Sequence, residues 1–243
     1  MLLFAAMFAL GEAYAVATAA NSDWWTAIEQ RDPARIEQLI ENGTDVNRPG
    51  VGGMTALMVA AGKARIALMH TLVNAGARVD QRNTRDGTAL MYAAVSGDAA
   101  AVRFLLDARA DSNAQSSNGW SALMIAAAKG YSDVAALLMA RGADINLADI
   151  YGWTPLMRAA HEGRENIVGL MVKESTLKLD LRDESAATAL HHAAIGGRVA
   201  IMQMLVDAGA DTGAMNQKGL TARMIAEAAG HSDIATLLSR HER

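Results

Sequence analysis

Thr154-Pro-Leu-Met-Arg-Ala-Ala-His-Glu-Gly163 is the stretch that decides the fold. A threonine hydroxyl placed before a helix accepts from the orphan N–H groups of its first turn. Pro155 then takes the first helical position, whose N–H has no partner in any helix. Leu156, Ala159 and Ala160 fall on one face at helical spacing, and Gly163 supplies the left-handed residue with which helices commonly end. The segment predicts a short helix whose apolar face is thin enough for another helix to approach closely.

Outward from this stretch the same pattern returns in one register. Thr55, Thr88, Ser121 and Thr154 are 33 residues apart, Thr188 follows after 34 and Thr221 after 33 again. The copies read Thr55-Ala-Leu-Met-Val-Ala-Ala, Thr88-Ala-Leu-Met-Tyr-Ala-Ala, Ser121-Ala-Leu-Met-Ile-Ala-Ala and Thr188-Ala-Leu-His-His-Ala-Ala. Gly97, Gly130, Gly163, Gly197 and Gly230 end this first helix. A second apolar helix follows, for example around Val134, Leu137 and Leu138, and Gly76, Gly142 and Gly209 end it in three copies. Asp, Asn and Gly then fill the tight turns between copies.

This pattern resembles the ankyrin repeat, whose hallmark is T-P-L-H-x-A in a unit of about 33 residues. Gly142-Ala-Asp-Ile-Asn146 and Gly209-Ala-Asp211 resemble the family's second-half motif, and the likeness covers roughly residues 23 to 240. The resemblance implies an all-α solenoid of stacked helix-turn-helix units with short β-hairpin fingers. It places an N-terminal cap at 22–48, repeats at about 50–82, 83–115, 116–148, 149–182 and 183–215, and a C-terminal cap at 216–243, in one domain over 21–243. Caps are required because each unit buries a face only against its neighbours.

Departures from the pattern set local expectations. Ala64 and Arg109 stand where helix-ending glycines belong, each at a cost of about 1 kcal/mol if φ is positive there. The fourth repeat runs Glu174-Ser-Thr-Leu-Lys-Leu179 into its finger with one extra residue, which predicts a local distortion. The family's histidine is Met58, Met91, Met124 and Met157 in four repeats and survives as His191, so most of its links between fingers are expected to be missing.

Composition bounds the function. Of 243 residues 51% are hydrophobic, 20% charged and 5% aromatic, which describes an ordered chain with a sizeable core. A net charge of −4 and scattered Lys and Arg give no stripe to track phosphates, so nucleic acid is not an expected partner. Zero cysteines exclude disulfides, thiol nucleophiles and zinc ribbons. Leu2 to Leu10 form an apolar run before the Ala-rich stretch Ala15 to Ala20, with small-x-small patterns at Ala15-Val-Ala17 and Ala17-Thr-Ala19. Residues 1–20 therefore read as an export signal, although no Lys or Arg precedes the run. The expected location is periplasmic or secreted, with no membrane contact after cleavage, and bacterial in type; as an ordinary apolar first helix the same segment would leave the protein cytoplasmic.

No catalytic set can be assembled from the regular positions, and no cofactor or metal is expected. There is neither a phosphate loop nor GxGxxG after a strand. His191 and His192 are adjacent on a helix and point about 100° apart, so they cannot share one ion. His161-Glu162 with Glu165 lacks the second histidine of HExxH. The fourteen methionines raise an alternative, a stress-response protein handling metal or oxidant, but the Met column beside the leucines reads first as core.

What remains is recognition. Trp120 and Trp153 each follow a finger glycine, Tyr151 shares a finger with Trp153, and Arg85 lies in an earlier finger; Tyr92, Arg158 and His161 belong to the inner helices. Trp, Tyr and Arg dominate interface hot spots, and the chain has only four Trp, four Tyr and three Phe. The reading is a monomeric, non-enzymatic scaffold that docks a folded protein on its finger tips and concave face, with a secreted effector as a further alternative.

Overall fold

The computed structural model describes residues 19–240, with side chains from Asp23 onward. All but the last two residues of the export-signal reading lie outside the described part. Among the described residues the chain is all-α, and no helix is long and apolar enough to cross a membrane. Contacts divide it into two units, meeting between Ser117 and Asn118.

The first unit holds α1 (Ala19–Gln30), α2 (Pro33–Glu41), a 3-10 turn (Val51–Gly53), α3 (Ala56–Gly62), α4 (Ile66–Asn74), α5 (Ala89–Ser96) and α6 (Ala99–Asp107). The second holds α7 (Ala122–Lys129), α8 (Ser132–Ala140), α9 (Pro155–Glu162), α10 (Glu165–Met171), α11 (Ala189–Ile195), α12 (Val199–Asp207), α13 (Ala222–Ala228) and α14 (Ser232–Ser239). Within each unit the helices pair along the chain. Inner helices then pack on inner ones, α3 on α5 and α9 on both α7 and α11, while outer helices run alongside, α10 beside α8 and α12.

The alanine pairs explain the close inner layer. Ala60-Ala61, Ala93-Ala94, Ala126-Ala127, Ala159-Ala160 and Ala193-Ala194 are all fully buried, so helix backbones meet with little side chain between them. Met58, Met91, Met124 and Met157 are buried beside them. Two of these sulfurs also act as acceptors: the amides of Thr55 and Thr154 each donate to the Sδ of Met58 and Met157 at 3.4 Å. In the fifth copy His191 Nδ1 takes that role for the Thr188 amide at 3.1 Å, and the ring's other nitrogen reaches the Leu220 carbonyl. Thioether thus replaces imidazole at the helix start but cannot reach onward to the next finger.

The marker hydroxyls cap four inner helices, Thr55, Ser121, Thr154 and Thr221 accepting from the amide three residues on. Thr88 makes no such bond and its buried hydroxyl has no partner. At the helix ends Ala64 and Arg109 do hold positive φ, +50° and +65°, and so does Arg31 at +59°. The extra residue of the fourth repeat is absorbed just after α10, which has seven residues where α8 and α12 have nine. Beyond it the bridge between turns is kept. Asn146 bonds Thr176 and Lys178 as Asn47 bonds Gly76 and Arg78, one residue further along.

The fingers are tight turns without strands among the described residues. One backbone bond closes each, such as Asp149 N–H to the Trp153 carbonyl at 2.9 Å, and one links it to the preceding finger. Thr84 N–H donates to Gly52 and Ser117 to Arg85 in the first unit; Ile150 donates to Asn118, Glu184 to Tyr151 and Gln217 to Ser185 in the second. A single lateral bond per finger is too little for a β-ladder, which needs repeated pairing along both strands.

Candidate functional site

Finger residues five before the marker threonine organise the surface. Asp149 Oδ1 accepts the amides of Tyr151 and Trp153 at 2.9 Å each, closing the turn that carries both aromatics. Its other oxygen takes Arg158 Nη2 from α9 at 2.6 Å. Asp183 repeats the arrangement one finger later: Oδ1 accepts the Ser185 and Ala187 amides, and Oδ2 meets His192 Nε2 of α11 at 2.8 Å. In the first unit Asn83 does the same for Arg85 and Gly87, and its Nδ2 donates to the Tyr92 hydroxyl at 2.8 Å. Each time a finger carboxylate or amide is tied to the inner-helix residue nine positions on.

Two glycines bring the second unit's fingers into contact. A Cβ on Gly119 would lie 2.6 Å from the Asp149 backbone and one on Gly152 would lie 2.9 Å from that of Asp183. Both also hold positive φ, +82° and +76°, so no other residue serves there without strain. The close fingers turn Trp120 and Trp153 onto one guanidinium. Arg158 Cζ sits 4.8 Å from the Trp120 ring centre and 4.1 Å from that of Trp153. Trp153 also lies 3.9 Å from the His192 ring and meets His161 edge-on at 5.5 Å.

The group is largely preformed. Trp120 is 8% exposed, so it lies beneath the surface and not on an open rim, because Arg158 and the neighbouring finger cover it. Trp153, Arg158 and His161 are half-buried, and Tyr151 stands out at 51% beside Ile150 at 54%. In the first unit Arg85 is exposed and Tyr92 is buried, its hydroxyl pKa raised chiefly by burial. Sequence reading missed Asp149, Asp183 and His192, which fix the cluster.

Burial dominates the electrostatics. It pushes His192 down to about 4, against the pull of Asp183, so the ring is neutral at pH 7 and donates from Nε2. Burial would raise the Asp183 carboxyl, but hydrogen bonds from Ser185, Ala187 and His192 outweigh it and leave its pKa lowered. His191 is also lowered, by burial first. His161 Nδ1 and His192 Nδ1 are buried without partners. Among the described residues no three His, Asp or Glu side chains gather as a cation site would need. Stacked rings and a paired guanidinium hold the cluster together.

Comparison with known proteins identifies the fold and the family. The family model described as ankyrin repeats, in three copies, matches residues 24–116, 108–183 and 177–243. No curated protein matches. Among solved structures the chain is similar to the ankyrin repeat domain of Bcl-3, described as a unique member of the IkappaB protein family. The two share 26% identity over 88% of this chain and 97% of that one, with a TM-score of 0.77. The fold is the ankyrin repeat solenoid, a non-enzymatic scaffold that in general mediates protein–protein interaction. With the family model spanning nearly all of the described residues, the chain belongs to the ankyrin repeat family.

Proposed function

We propose that this protein is a non-enzymatic scaffold that captures a folded protein partner on the finger tips and inner-helix face of its second unit. One observation carries the reading: exposed Tyr151 and Ile150 stand on a turn whose base is locked by Asp149, beside the half-buried Trp153, Arg158 and His161. A surface already ordered loses little conformational entropy on docking, and its centre has the residue types that dominate hot spots. Trp120 belongs to the same reading as a buried support. The apolar run Leu2 to Leu10 and the Ala-rich stretch Ala15 to Ala20 support a meeting with that partner outside the cytoplasm.

Affinity capture from the native host, with wild type and Tyr151→Ala run in parallel, tests it. Tyr151 is exposed, so its removal should leave the melting temperature unchanged while a partner held by wild type is lost. A partner retained equally by Tyr151→Ala and by His161→Ala would place the contact elsewhere.

A further inference from the structure

A cleft of about 390 Å³ opens in the first unit beside the starts of α2 and α4. Pro33, Ile36, Ile66 and Leu68 line it with apolar surface, and Arg31 and Arg65 line it with charge. Neither guanidinium is ion-paired among the described residues. Arg65 Nη1 donates to the Ile28 carbonyl at 2.5 Å, while its Nε is buried with no partner. Burial, and then repulsion from Arg31, lowers the Arg65 pKa. Glu37 also borders the cleft but is exposed and pairs with neither arginine. Asp32, next to Arg31, accepts from the Arg35 amide.

A structural duty accounts for Arg65 alone. In the second unit Arg164 Nε likewise donates to the Ala128 carbonyl at the end of α7, so an arginine here clamps the preceding inner helix. Arg31 has no such duty. Its side chain makes no hydrogen bond among the described residues and its φ is +59°, at the helix end where Gly97, Gly130 and Gly163 serve in later repeats. A side chain in that conformation costs stability that glycine does not, a strain that Ala64 and Arg109 share. The start of α4 adds to the positive field. Asp32 and Asp98 cap α2 and α6, but Arg65 occupies that place in α4 and gives no side-chain cap.

We propose that this cleft binds a carboxylate carried on a short apolar group. The carboxylate lies between Arg31, whose planar guanidinium fork matches its geometry, and the remaining Nη2 of Arg65, and the apolar group lies against Ile36 and Leu68. Two unpaired cations over an apolar lining select that combination. The volume suits a small ligand, since such sites begin near about 300 Å³.

Calorimetric titration of the full chain with octanoate tests the site, with N-acetyl-glycyl-leucine as a second carboxylate and octanol and inorganic phosphate as controls. Octanoate or the peptide should bind and weaken with added salt, octanol should not bind, and the tighter carboxylate names the source as fatty acid or peptide C-terminus. Arg31→Gly should weaken binding at least about tenfold while the melting temperature holds or rises, because glycine relieves the backbone. Leu68→Glu brings the protein's own carboxylate to the cleft, in a first helical turn that favours negative charge; it should abolish binding with the helical signal intact. Equal binding by Arg31→Gly and wild type, equal binding of octanol and octanoate, or no binding of either carboxylate at millimolar concentration overturns the proposal.

Discussion

His192→Gln isolates the contribution of a single buried ring to acid stability. In the native chain the His192 pKa is about 4 against an ordinary 6.5, chiefly through burial. A folded value below the unfolded one means that the unfolded chain takes up the proton first as pH falls. Native stability is therefore complete above 6.5, declines between 6.5 and about 4, and then levels. At about 1.4 kcal/mol per pH unit, the loss relative to pH 7 is about 2 kcal/mol at pH 5 and approaches about 3 kcal/mol at pH 4. Glutamine still offers Asp183 an N–H donor but cannot titrate. His191 and Asp183, whose pKa values are also lowered, remain in the variant, so their own pH dependence largely cancels. Urea unfolding followed by circular dichroism at pH 7, 5 and 4 gives the two curves. Wild type should lose about 2 kcal/mol more than His192→Gln between pH 7 and 5. Parallel curves would show that the ring is protonated readily in the fold and that burial does not hold it neutral.

Two further outcomes follow from buried and strained groups. Arg158→Ala leaves the Asp149 carboxylate, whose side chain is 0% exposed, without its cation, and should cost about 3 kcal/mol; a loss below about 1 kcal/mol in urea unfolding would mean that Asp149 finds water instead. Arg109→Gly relieves a φ of +65° and should raise stability by about 1 kcal/mol, seen as a higher melting temperature; an unchanged or lower one would show that the side chain's contacts outweigh the strain.

The helix pairs were legible because their markers are local. Threonine, the alanine pair and glycine each act within one turn of chain, so a register of 33 residues exposes them. The surface was only half legible. Trp120, Tyr151 and Trp153 could be placed after or beside finger glycines, yet the register does not tell which way an indole turns. Arg158 decides that, by lying against both rings. The fixing residues do carry a signal: Asn83 with Tyr92, Asp149 with Arg158 and Asp183 with His192 are each nine apart. Ser116 with Ile125 and Asn216 with Ile225 share the spacing, but an apolar side chain offers nothing to bond, so the pattern is broken in the column where it would be sought. The sulfur acceptors at Met58 and Met157 show in the sequence only as core filling, since packing and weak acceptance look identical there.

Those thioethers have a consequence for where the chain gives way. A sulfur that receives an amide at a helix start has no proton to gain between neutrality and mild acid, so the copies around Met58 and Met157 keep that junction as the medium sours. The copy built on His191 and His192 has two imidazoles in the same neighbourhood, both held neutral by burial. Acidification should therefore loosen the protein at one brick, α11 with its finger, and leave the others closed. Amide exchange rates along the chain at falling pH would display a single weak joint.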